Sequence, residues 1–263
     1  MTDVLEFRKY LPPQLGMKVE KLAICYPWGS PFIWTKHHQN ALNMERPKGI
    51  ESRWFQGQGW CPARRHIHFC EQAVDWGASH ILILGADQTF PEDLIPRLVK
   101  RVEVDGCEVI TALVPTRGLV HYLPMRPFQP VAFRFKDGTQ ASRWRTWEQD
   151  KDMLELIEPG DNELELIDFI GSGCIMFPVD DLLKMPTPWF YEVYQKQDLC
   201  RQASMDTRFI FEMKKFTGAQ IWLDTTIKIG HLNDMIVDDT YQYKFTREDW
   251  KEEGYGSAPA NVK

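Results

Sequence analysis

A chain of 263 residues, 43% hydrophobic and 26% charged, has material for one large domain or two small ones around an ordinary core. Its formal net charge of -6 argues against a broad basic surface for duplex DNA and leaves room only for a local basic groove. No apolar run approaches the about 18 residues of a membrane span, and residues 1–10 mix acids and bases without the apolar centre of a signal peptide. The expectation is a soluble, cytoplasmic protein with no membrane partner.

Residues 1–20, interrupted by Pro12, Pro13 and Gly16, read as an N-terminal extension. Residues 21–27 form a first strand that ends at Pro27. Trp28-Gly29-Ser30-Pro31 is a turn, residues 32–43 suit a helix, and Pro47-Lys48-Gly49 breaks it. Pro62 opens a second helix whose apolar stripe is Ile67, Cys70, Ala73 and Val74, closed at Gly77. Cys61, His66, His68 and Cys70 all fall in or beside this helix, and their spacing is not that of a zinc finger. The six cysteines show no paired spacing and several lie in apolar segments, as buried thiols in a reducing compartment do.

The run Ile81-Leu82-Ile83-Leu84 is apolar on both faces, the pattern of a central parallel strand. It stops at Gly85-Ala86-Asp87, so a carboxylate sits just past the strand's carboxyl end, where open α/β sheets bind their ligands. The alternative role for Asp87 is to stabilise the dipole of the helix that follows. That helix is announced by Pro91-Glu92-Asp93 and by Leu94, Ile95, Leu98, Val99 and Val102 at helical spacing. A strand over residues 108–114 comes next. This alternation of strands and helices predicts an α/β fold with a mostly parallel central sheet flanked by crossover helices.

The character then changes. Residues 115–163 gather Arg117, His121, Tyr122, Arg126, Phe128, Arg134, Arg143, Trp144, Arg145 and Trp147. Residues 131–135, followed by Asp137-Gly138, read as a hairpin, so the segment is an insertion or lid. The core resumes with a strand at 164–169, then Gly171-Ser172-Gly173, an apolar run at 174–177 and a short helix at 179–185. After Pro188-Trp189-Phe190, Met205-Asp206 opens a helix closed by Gly218. Two short strands, 221–223 and 226–229, lead to Gly230-His231. Residues 238–263 form a polar tail.

Four stretches in this order resemble the GT-A glycosyltransferases, in particular the small family-2-like enzymes of bacteria and phages. They are the opening strand through Pro27; Ala63-Arg64-Arg65 leading to residues 77–91; Asp168-Phe169-Ile170-Gly171-Ser172-Gly173; and Pro188-Trp189-Phe190 with Met205-Asp206, Gly218, Asp224 and Gly230-His231. Together they span roughly residues 21–231. The resemblance implies a GT-A, Rossmann-like domain over 21–237 that transfers a sugar from a nucleotide-sugar donor to a hydroxyl of a saccharide or protein. It implies a divalent cation, Mn²⁺ or Mg²⁺, held by Asp87 and His231 to neutralise the diphosphate leaving group. Pro27, Trp28, Arg65, Gly85, Ala86 and Asp87 would face the donor. Gly171, Gly173, Trp189 and Phe190 would face the acceptor, and Asp206 would be the general base. Each has a plainer alternative: a helix N-cap for Asp206, a structural histidine for His231, a surface arginine for Arg65, a bulge at the glycines, and packing for Trp189 and Phe190.

The chain departs from the family pattern at one point. The first carboxylate of the D-x-D pair aligns with Gly85, so cation affinity without donor is expected to be weak. Phage relatives that glycosylate hydroxymethylated bases make a DNA acceptor an alternative. Two other classes compete. Nucleotidyl transfer needs a basic pair after the first strand, which Trp28-Gly29-Ser30-Pro31 lacks. A non-catalytic nucleotide-sugar binding module would suit the missing carboxylate. No G-x-G-x-x-G follows the first strand, which disfavours a dinucleotide oxidoreductase.

Overall fold

The structure, a computed structural model, describes residues 16–28, 35–115, 132–135, 154–157, 162–194, 201–232 and 236–237. Most of the predicted extension, the turn after Trp28, most of the insertion with its arginine-aromatic cluster, and the polar tail lie outside the described residues. In chain order the elements are β1 (Lys21–Tyr26), α1 (Thr35–Asn43), β2 (Glu51–Gln56), α2 (Pro62–Asp75), β3 (His80–Leu84), β4 (Gln88–Thr89), α3 (Leu94–Glu103) and β5 (Val109–Leu113). They continue with β6 (Ala132–Phe135), β7 (Leu154–Leu156), β8 (Leu164–Ile167), β9 (Phe169–Ile170), β10 (Cys174–Pro178), α4 (Val179–Lys184), β11 (Val193–Tyr194) and β12 (Arg201–Ala203). The last are α5 (Met205–Thr217), β13 (Ile221–Lys228), β14 (Gly230–Leu232) and β15 (Ile236–Val237).

Seven strands form the central sheet in the order β2-β1-β3-β10-β5-β13-β8. Strands β2, β1, β3, β5 and β13 run one way, and β10 and β8 run against them. The mostly parallel α/β sheet expected from the sequence is therefore present. The run at 174–177 enters antiparallel between β3 and β5, a placement that its composition does not specify.

Successive residues of a strand point to opposite faces, and here both faces are covered. Ala23, Cys25, Ile81 and Ile83 pack with Phe69, Cys70 and Ala73 of α2 and with Phe209, Ile210 and Met213 of α5. Leu22, Ile24, Leu82 and Leu84 pack with Leu94, Ile95, Leu98, Val99 and Val102 of α3. Burial on both faces is why β1, β3 and β5 are mostly apolar. Strand β2 was not anticipated: it is an edge strand with alternating exposure, ESRWFQ, and has no apolar run.

One expectation is revised. The predicted pair of strands at 221–223 and 226–229 is one strand, β13, with a register shift between Asp224 and Lys228. Strand β6 pairs antiparallel with β7 and β9, and the residues past Asp137-Gly138 that the hairpin expectation concerns lie outside the described residues. Asp168 fastens this small sheet: its carboxylate accepts the Phe135 N–H at 2.9 Å and pairs with Lys214 of α5.

Candidate active site at the carboxyl edge of the sheet

Strand β3 ends at Leu84, and Asp87 follows three residues later. It does not belong to the helix after it, because α3 begins at Leu94 and the short strand β4 intervenes. That strand is decisive for the site. It pairs antiparallel with β14, setting His231 opposite Gln88 and Gly230 opposite Thr89, while Leu232 N–H donates to the Asp87 carbonyl at 2.7 Å. His231 Nε2 thereby lies 3.3 Å from Asp87 Oδ2, with the two side chains 14% and 27% exposed. His231 Nδ1 is 2.9 Å from the Pro115 carbonyl. A carbonyl only accepts, so Nδ1 carries a proton directed at Pro115 O, and Nε2 is the ring nitrogen that faces Asp87.

A carboxylate oxygen beside an imidazole nitrogen, with the imidazole's other N–H fixed by a backbone carbonyl, is a donor set that fits a divalent cation. Among the described residues, no group of three or more His, Cys, Asp or Glu side chains could hold a metal. A cation at this pair would draw its other ligands from bound oxygens.

A second cluster lies alongside. Cys174 opposes Leu84, so the turn before β10 sits beside the carboxyl end of β3. Gly85 N–H donates to Gly173 O at 2.7 Å, which ties Asp87 to the turn containing Gly171, Ser172 and Gly173. Ser172 Oγ–H donates to Asp206 Oδ1 at 2.6 Å. The cap of α5 is Ser204, whose side chain accepts from Thr207 N–H. Asp206 is thus not the N-cap, and its carboxylate is directed at Ser172. His66 Nε2 lies 3.4 Å from the same Ser172 Oγ, and His66 Nδ1 lies 2.8 Å from the Pro62 carbonyl. His66 is 2% exposed and packs against Phe69 and Phe190. Burial pushes its pKa below the ordinary value, against the opposing pull of the Pro62 carbonyl and the Asp206 charge.

Gly85 and Gly173 leave room for a neighbouring side chain. A Cβ on Gly173 would stand 2.1 Å from Gln88 Nε2, and one on Gly85 would stand 2.7 Å from Gln88 Cδ. The buried Gln88 amide fills the room that both glycines leave, including the place beside Gly85 where the resemblance would set the first carboxylate. Gln88 is itself held by buried His37, whose Nδ1 lies 2.8 Å from the Gln88 carbonyl.

Trp189 and Phe190 are core residues and not an acceptor platform. They are 8% and 1% exposed, and the Phe190 ring stacks on Phe209 with centroids 4.3 Å apart. Among the described residues an exposed aromatic at this edge is Trp60, at 89%, in the loop between β2 and α2. Arg65 braces that loop, its Nε donating to Gly59 O at 2.9 Å. Pro27 and Trp28 are half-buried and continue from the carboxyl end of β1. Ala86 lies between Gly85 and Asp87 in the loop leaving β3. Among the described residues His68 joins no group that could hold a metal, and its Nδ1 accepts Gln58 N–H at 3.0 Å.

Reading the sequence alone missed His66, Ser172 and Gln88 as site residues. Ser172 stood inside a motif and His66 in a cysteine–histidine run, but neither spacing shows that they meet.

No family model matches the chain, and no curated protein matches it. The fold is similar to that of A197 from STIV. The likeness to that crystal structure covers 82% of this chain and 86% of that chain, at 12% sequence identity and a TM-score of 0.53. At this identity it establishes the α/β architecture alone. Among the described residues no helix is long and apolar enough to cross a membrane.

Proposed function

We propose that this chain is a metal-dependent glycosyltransferase that moves a sugar from a nucleotide-sugar donor to a hydroxyl of a saccharide or protein. The observation that carries the reading is the convergence of Asp87 and His231, 3.3 Å apart at the carboxyl end of the sheet, with the His231 proton committed to a backbone carbonyl. Asp87 Oδ2 and His231 Nε2 would hold a divalent cation, which when bound neutralises the departing diphosphate. Asp206, tied to the same edge through Ser172 and the Gly85–Gly173 bond, is the carboxylate placed to take a proton from the attacking hydroxyl. Arg65 and Trp60 border the site on the α2 side.

The test is a panel of nucleotide sugars with Mn²⁺, read for donor hydrolysis and for transfer to saccharide and peptide acceptors. Asp87→Ala and His231→Ala should each abolish Mn²⁺-dependent turnover and weaken calorimetric Mn²⁺ binding in the presence of a nucleoside diphosphate, with unchanged circular dichroism. Full activity in excess chelator would refute the metal role. The Gln88 amide packed beside Gly85 favours one competing reading, a module that binds the nucleotide sugar without turning it over. Tight donor binding with no hydrolysis and no transfer across the panel would establish that reading instead.

A further inference from the structure

Resting on the assignment of Asp206 as the base, we infer that the Ser172 hydroxyl serves Asp206 and His66 in turn, which makes His66 a positioning residue for that base. A serine hydroxyl has one proton to give. Two acceptors stand within its reach, Asp206 Oδ1 at 2.6 Å and His66 Nε2 at 3.4 Å. The first distance is that of a hydroxyl bonded to a charged carboxylate. The second is long for a hydrogen bond, as it should be while the proton is committed elsewhere.

The Pro62 carbonyl keeps the His66 proton on Nδ1, so Nε2 stays an acceptor while the ring is neutral. Its burial favours that neutral form. The charged groups that act on His66 are Asp206 from α5 and Arg65 from its own helix; the rings of Phe69 and Phe190 close other sides.

The device matters at the moment of proton transfer. The acceptor oxygen forms its bond to the anomeric carbon, the diphosphate leaves with the electron pair of the broken bond, and the acceptor's proton passes to Asp206. The carboxyl group is then neutral and a weaker acceptor. Rotation of the Ser172 O–H toward His66 Nε2 keeps the half-buried hydroxyl bonded, and no proton leaves Ser172 or His66. Without Nε2 the hydroxyl would lose part of its bonding to the protein just as the base is protonated, beside an imidazole that is itself buried.

The experiment has one arm that needs no turnover. Imidazole ¹⁵N spectra of the full chain should show His66 as the Nδ1–H tautomer. In Asp206→Asn, which removes the carboxylate charge, the Nε2 resonance should move toward its hydrogen-bonded position. In Asp206→Asn combined with Ser172→Ala that movement should vanish, and Ser172→Thr should preserve it. In the kinetic arm, Ser172→Ala should lower kcat roughly tenfold or more with donor KM unchanged, the loss expected for one hydrogen bond to a charged group. The acid limb of its pH profile should move as well, and Ser172→Thr should restore both. An Nε2 signal identical in all variants, with kcat of Ser172→Ala equal to wild type, overturns the inference and leaves the transferase reading intact. Coupled Nε2 shifts in a protein that turns over no donor support the hydroxyl switch and overturn the transferase reading.

Discussion

Asp224 stands in the same late stretch as Asp206 and His231, yet its side chain is 0% exposed. Its Oδ2 accepts Arg101 Nε–H at 2.7 Å, and its Oδ1 accepts the Thr226 N–H at 2.9 Å and the Thr226 hydroxyl. Arg101 in turn reaches Asp105 at 2.9 Å and Glu163 at 3.1 Å. Burial acts to lower the Arg101 pKa, but the hydrogen bonds it donates to Asp224, Asp105 and Glu163 outweigh it and hold the guanidinium above its ordinary value. The network joins α3 to the irregular part of β13. Asp224→Ala strips the buried partner from a largely buried cation and leaves the Thr226 N–H without an acceptor. Breaking a buried pair costs about 3–5 kcal/mol. Asp105 still faces Arg101, while Glu163, at 71% exposure, adds little, so the expected cost is near the lower end, about 3 kcal/mol. For a chain of this size that lowers the melting temperature by roughly 6–12 °C. Replacing both partners by Arg101→Met and Asp224→Leu should cost less than Asp224→Ala alone, because no charge is left stranded. Scanning calorimetry on Asp224→Ala, on Arg101→Met and Asp224→Leu singly and on their double variant measures this, and turnover assayed well below each transition should stay near wild type. A loss under about 1 kcal/mol for Asp224→Ala, or strictly additive effects in the double variant, would refute the argument.

Two further outcomes follow from the packing and from the half-buried carboxylates. Gly173→Ala should destabilise by about 1–3 kcal/mol because the new Cβ meets the Gln88 amide; combining it with Gln88→Ala should recover most of the loss in urea unfolding, and an unchanged deficit would refute the contact. Burial first, and then Asp181 beside it, pushes Glu108 up to about 7. Its stabilising contribution is therefore complete below the unfolded value near 4.5 and is lost as the pH rises through 7. Burial lowers His80 to about 4, so its contribution is present above 6.5 and is lost as the pH falls through 4. The two slopes oppose each other between them, so the variant isolates one. From pH 5 to pH 8, Glu108→Gln should gain on wild type by about 2 kcal/mol after allowance for solvent screening. Parallel melting curves at the two pH values would refute it.

What the sequence determined follows from burial. Strands β1, β3 and β5 are covered on both faces, a demand met by mostly apolar runs, with Thr111 of β5 bonded to the Cys174 carbonyl, so their place in a mostly parallel sheet was legible. Asp87 was legible too, because a carboxylate that ends such a run stands at the sheet's carboxyl edge wherever the other strands lie. Other features depend on partners distant in the chain. Strand β2 exposes one side and carries no apolar signature. The antiparallel entry of β10 is a matter of connection rather than composition. Trp189 and Phe190 look alike in sequence whether a ring meets a ligand or, as here, Phe209 and His66. The approach of His231 to Asp87 rests on a two-residue strand, β4, too short to leave a periodic pattern. The contacts of Ser172 with Asp206 and His66 join three elements across separations of 34 and 106 residues. Periodicity records which face of an element is buried, but not which distant side chain it meets there, and that is what only the tertiary structure decided.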